Sequence, residues 1–145
     1  MSLPFRKILA ASALGLMLTA APAMAATEKF TADLEAASET PPTTSSGTGT
    51  ATVNYDTTSK KLSWTITYKK LTGKATAGHF HGPAAVGVKA APVIPIKGKL
   101  TSPIKGSATL PDAQAADLEA GMWYFNVHSA KYPDGEIRGQ VVKAQ

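Results

Sequence analysis

Cysteine is missing from all 145 residues, and that absence removes several readings at once. Without thiols there is no disulfide framework and no zinc–thiolate site, so stability has to come from packing or from a bound ion. Long apolar runs are missing too. The longest, Ile8 to Ala21, covers about 14 residues, short of the roughly 20 that a membrane-spanning helix needs. It follows Arg6 and Lys7 and leads into Ala23-Met24-Ala25, the layout of a secretory signal peptide over residues 1–25. The expectation is a periplasmic or secreted chain that begins near Ala26, with residues 26–145 forming one domain. Blocks of like charge are also lacking. Removing Arg6 and Lys7 from 15 basic side chains leaves 13 against 10 acidic, a net +3. Charge that mild and that dispersed implies neither a nucleic-acid partner nor an anionic membrane surface.

Histidine is nearly absent as well, and its placement is the most informative feature. All three histidines fall in two short motifs, His79-Phe80-His81-Gly82-Pro83 and Asn126-Val127-His128. On an extended strand, residues two apart share a face, so His79 and His81 point the same way. A neutral imidazole offers one lone-pair nitrogen, and three converging imidazoles make three of the four ligands of a copper or zinc ion. The other reading is a hydrogen-bonded structural set with no metal.

Strand signals fill most of the remaining chain. Period-two alternation marks Lys29–Glu35, Thr50–Tyr55, Leu62–Tyr68, Ala75–His81, Met122–His128 and Glu136–Lys143. Val93–Ile96 and Ser107–Leu110 are weaker strands. The segment from Ala37 to Gly49, with Pro41-Pro42, reads as a loop or covering edge, and Asp56–Lys60 as a hairpin turn. Only Pro111–Gly121 has helical character, with proline near its start, alanines within and glycine as its stop. The fold class is therefore all-β: an antiparallel sandwich or barrel with one short crossover helix. Leu62, Trp64 and Ile66 supply the largest core face, expected to pack against Phe125 and Val127. Glu136 and Arg138, two apart on the last strand, are expected to pair as carboxylate and guanidinium.

Three motifs together resemble the CHRD (chordin-type) domain in its single-domain exported bacterial form. They are Gly78-His79-Phe80-His81-Gly82-Pro83-Ala84, the passage Gly121 to His128, and Pro133-Asp134-Gly135-Glu136-Ile137-Arg138-Gly139-Gln140. Phe80 stands where that family more often has isoleucine, and Ser129 where threonine is usual. The family is defined by sequence more than by an activity. The antagonism of growth factors in chordin belongs largely to cysteine-rich modules, which this chain does not have. The family is similar in outline to the copper/zinc superoxide dismutase sandwich, whose copper is held by a His-X-His and a late histidine. The further zinc-bridging histidines of that enzyme are not here, so its full site cannot be assembled.

Two functions follow. The first is a metal-binding module with His79, His81 and His128 as ligands for copper or zinc, and Tyr124 and Asn126 orienting the rings. In that case the ligand nitrogens should converge within about 4 Å. The second is a non-catalytic adhesion or protein-interaction domain in which the histidines, Asn126, Glu136 and Arg138 form a buried polar network. Its protein partner and the oligomeric state are unknown from the sequence. Hydrolysis ranks low, since no Gly-X-Ser-X-Gly elbow occurs and no catalytic residue stands out.

Overall fold

In the computed structural model, residues 26–145 are described; the expected signal peptide, 1–25, lies outside them. The strands are β1 (Thr27–Glu35), β2 (Thr48–Asp56), β3 (Lys61–Lys69), β4 (Ala75–His81), β5 (Pro92–Pro95), β6 (Ile104–Thr109), β7 (Trp123–Ser129) and β8 (Ile137–Lys143). One helix, α1 (Asp112–Glu119), crosses from β6 to β7. Its stop works as the glycine suggested: Gly121 takes φ of 71°, a left-handed conformation that costs a residue without a Cβ little. The hairpin between β2 and β3 closes on the Asp56 carboxylate, which accepts from the Thr58 and Ser59 amides at 2.9 and 2.7 Å.

All neighbouring strands pair antiparallel in one eight-stranded sheet, ordered β5-β4-β7-β8-β1-β2-β3-β6, which curls into a nearly closed barrel. Of the two all-β architectures expected, this is the barrel. Two features at its seam suit edge strands. Prolines at both ends of β5 carry no amide hydrogen to offer a further strand. Gly106 in β6 leaves room for an indole: a Cβ there would sit 2.5 Å from Trp64 Cζ2. The weak strands differ in extent from the expectation, β5 starting one residue earlier and β6 running from Ile104. Those two edge strands have the fewest apolar residues to set a period.

The core lies inside the barrel. Leu62, Trp64 and Ile66 share one cluster with Phe125 and Val127, as expected, together with Phe30, Leu34, Phe80, Trp123 and Ile137. The middle position of the His-X-His motif links the two halves. Phe80 meets Trp64 edge-on at 5.3 Å between centroids and Phe125 at 4.8 Å. Because Phe80 faces inward, its neighbours His79 and His81 must face out.

Candidate metal centre

β4 and β7 are adjacent, and their register places the site. His79 lies opposite Asn126, His81 opposite Tyr124, and Ala77 opposite His128. The outward residues of both strands thus form one patch on the barrel wall, reaching from the last residue of β4, His81, to His128 near the end of β7. The patch is polar yet covered: Tyr124, Asn126, His81 and His128 are all buried, and only His79 is partly open. The 84–91 loop and the segments around Glu39 and Pro133 roof it.

The roof holds the rings through backbone carbonyls. His81 Nδ1 donates to Ala90 O and His128 Nδ1 to Pro133 O, both at 2.9 Å. A neutral imidazole that donates from Nδ1 carries its lone pair on Nε2. Both Nε2 atoms point at one amide: Asn126 Oδ1 is 3.0 Å from that of His81 and 2.9 Å from that of His128. His79 Nδ1 is 2.9 Å from His128 Nε2. The ligand atoms of the three histidines lie within 4.8 Å of one another, a looser convergence than the 4 Å expected of a closed site. That is near enough for the three to hold a metal ion after a small inward movement, and the least buried ring, His79, is the one freest to make it.

Electrostatics keep these rings neutral. Burial lowers the pKa of all three below the usual 6.5; for His79 the neighbouring His128 and His81 add to it, whereas for His81 and His128 the carbonyl hydrogen bonds oppose it. At neutral pH the lone pairs are therefore free for ligation. Tyr124 stacks on His81 with centroids 4.6 Å apart and planes 4° from parallel, and its hydroxyl contacts both the N and O of Ala90 at 3.2 Å.

Glu136 and Arg138 do not pair, contrary to expectation. The Arg138 guanidinium lies 3.4 Å from the Tyr124 ring centroid and donates to Val88 O at 2.8 Å. The Glu136 carboxylate turns to Ser45, Thr72 and Ser129, accepting at 2.5 Å from Ser45 Oγ and 2.7 Å from Thr72 N. Burial alone would raise its pKa, but those hydrogen bonds outweigh burial and leave it lowered. The reason the side chains part is that Glu136 precedes β8. It belongs to the turn through Gly135 (φ 133°), so the two-residue rule of a regular strand does not reach it. Its role is to pin that turn, and with it the Pro133 carbonyl that orients His128.

One site residue was missed altogether. Glu39 is 7% exposed and stands behind Asn126, and its Oε1 has no hydrogen-bond partner. Burial raises its pKa, against the opposing charge of Arg138 and a hydrogen bond from the Asn126 amide. It lies in the proline-rich segment read as a covering loop, where nothing periodic distinguishes it from exposed neighbours.

A family model, the CHRD domain, matches residues 30–141. No curated protein and no solved structure matches the chain.

Proposed function

The chain belongs to the CHRD domain family, and from that premise we propose that it is an exported copper(II)-binding module, with His79, His81 and His128 as ligands. One observation carries this reading. Nδ1 of His81 and of His128 is committed to a carbonyl, so both Nε2 lone pairs face the Asn126 oxygen at about 3 Å, and only His79 Nδ1, 2.9 Å from His128 Nε2, is placed to offer either of them a proton. Such a set is repulsive among neutral groups and is relieved by a cation. Imidazoles held by carbonyls from behind are also the usual second layer of a metal site.

Copper(II) is favoured over zinc because nitrogen and oxygen donors hold it more tightly in the Irving–Williams order. Copper(I) is disfavoured by ligand softness, since the only sulfur in residues 26–145 is the thioether of Met122. When bound, the ion would supply a one-electron acceptor reached from the His79 side, where the patch is open. Export rests on the signal-peptide reading of residues 1–25. A structural role for the histidines, in an adhesion or interaction domain, is supported by the same carbonyl hydrogen bonds.

Titration of the metal-free protein with copper(II) and zinc(II) at pH 7.5, read by calorimetry and by melting, separates the two. Copper should bind more tightly and raise the melting temperature. His81→Ala and His128→Ala should abolish that rise, and Lys74→Ala, a surface change, should not. No heat and no shift with either ion would leave the interaction-domain reading.

A further inference from the structure

Building on the copper reading, we infer that the Asn126 side-chain oxygen is the fourth ligand, and that Glu39 is the residue that aims it. The sequence suggests an orienting role for Asn126, but its Oδ1 already lies at donor spacing from two ligand nitrogens, 3.0 Å from His81 Nε2 and 2.9 Å from His128 Nε2. An orienting amide would bond the far side of a ring. Here the far sides are taken by Ala90 O and Pro133 O, and the amide oxygen faces the lone pairs.

Direction decides the case. Rotating the amide by half a turn would give both Nε2 atoms a donor and remove the need for any ion. That rotation is opposed from behind, because the buried Glu39 carboxylate lies on the NH2 side of Asn126, both packed against Gly135. Turned about, Oδ1 would face a buried carboxylate that already has one oxygen without a partner. Space offers no escape either. Gly135 packs so closely that a Cβ there would lie 2.2 Å from Glu39 Oε1 and 2.8 Å from Asn126 Nδ2. Glu39 thus holds the amide oxygen towards the histidines. Three imidazoles and an amide oxygen make an N3O set, which suits copper(II) in tetragonal surroundings. A site filled by four protein donors leaves no equatorial place for water.

Exclusion of water provides the test. Copper(II) affinity is measured by chelator competition, and water access by proton relaxation of the solvent, on the parent, Asn126→Ala, and the double variant Asn126→Asp, Glu39→Gln. The double variant keeps an inward oxygen, the hydrogen bond between the two side chains and the total charge. The parent should bind copper with solvent relaxation close to that of a metal lacking bound water. Asn126→Ala should bind about 10–100-fold more weakly and relax water several-fold more strongly. The double variant should return both readouts towards the parent. A parent whose copper relaxes water as strongly as in Asn126→Ala, or a double variant as weak and as wet as Asn126→Ala, overturns the assignment of Asn126 while leaving the three histidines as ligands. A parent that takes up no copper overturns both readings.

Discussion

β3 and β7 have the same alternation, yet they differ completely on one side. Inward, Leu62, Trp64 and Ile66 of β3 match Trp123, Phe125 and Val127 of β7, all in one core. Outward, Lys61, Thr67 and Lys69 of β3 are exposed, and Ser63 and Thr65 are half-buried. On β7 every residue is buried, including Tyr124, Asn126 and His128. A strand wall can face water cheaply when its outer residues are polar. Covering such residues is costly unless each polar atom finds a partner, so a covered polar face has to be matched atom by atom. The partners on β7 are loop carbonyls and one carboxylate, and meeting them is what presets the imidazole tautomers. The difference between the two strands thus marks where the fold spends stability on a site.

The largest effects should fall where the strands are alike. Phe125→Ala and Trp64→Ala each remove a large buried ring in contact with Phe80 and should each cost roughly 3–5 kcal/mol in denaturant unfolding. A loss several-fold smaller for one of them would show that the two halves do not share a core. Glu136→Gln comes next. The amide oxygen could still accept from Ser45 and the Thr72 amide, but an NH2 would replace the acceptor facing the Thr72 hydroxyl and the charge that strengthens these bonds would be lost, at about 1.5–3 kcal/mol. It should also weaken copper binding by loosening the turn that carries Pro133. Unchanged stability would mean that β8 does not depend on its first turn.

How far the sequence alone reaches differs between the same two surfaces. Period two revealed the inward face of both strands, the shared face of His79 and His81, and the all-β class, because side-chain alternation is a property of the strand itself. It could not reveal the burial of Tyr124, Asn126 and His128. The roof is built from loops without period, and Glu39, Ala90 and Pro133 act through one carboxylate and two carbonyls that any loop residue could present. The supposed pairing of Glu136 with Arg138 failed for a related reason. Spacing predicts a shared face only inside a regular strand, and Glu136 sits in a turn. Choosing the barrel over the sandwich required the pairing of β1 with both β2 and β8, which is a long-range property.

Acid should expose the difference without any mutation. The three outward histidines have pKa values lowered in the fold, foremost by burial. The unfolded chain therefore takes up protons near 6.5 that the folded metal-free chain refuses. Their contribution is complete above that pH and is lost as pH falls from about 6.5 towards the folded values. Glu39, raised by burial, acts in the opposite sense, holding a proton in the fold and adding stability on the acid side of its titration. Metal-free melting from pH 7.5 to 5.5 should thus decline more for the parent than for His79→Gln, His128→Gln. Parallel declines would show that the rings titrate as freely as in an open chain.

The smallest effect belongs to the outward face of β3, and it sharpens the contrast most simply. Thr67 is exposed and lies opposite Thr50 of β2, with no roof above either. Thr67→Val keeps the β-branched shape that suits a strand and removes only a hydroxyl that water can serve. Stability should change by less than about 0.5 kcal/mol in either direction, and the copper-induced rise in melting temperature should not change at all. On β7, Asn126→Ala removes an equally modest group and should reduce that rise markedly, because there the polar atom has its counterparts fixed around it. If Thr67→Val cost more than 1 kcal/mol, the face of β3 would also be covered, and burial of polar residues would no longer single out β7.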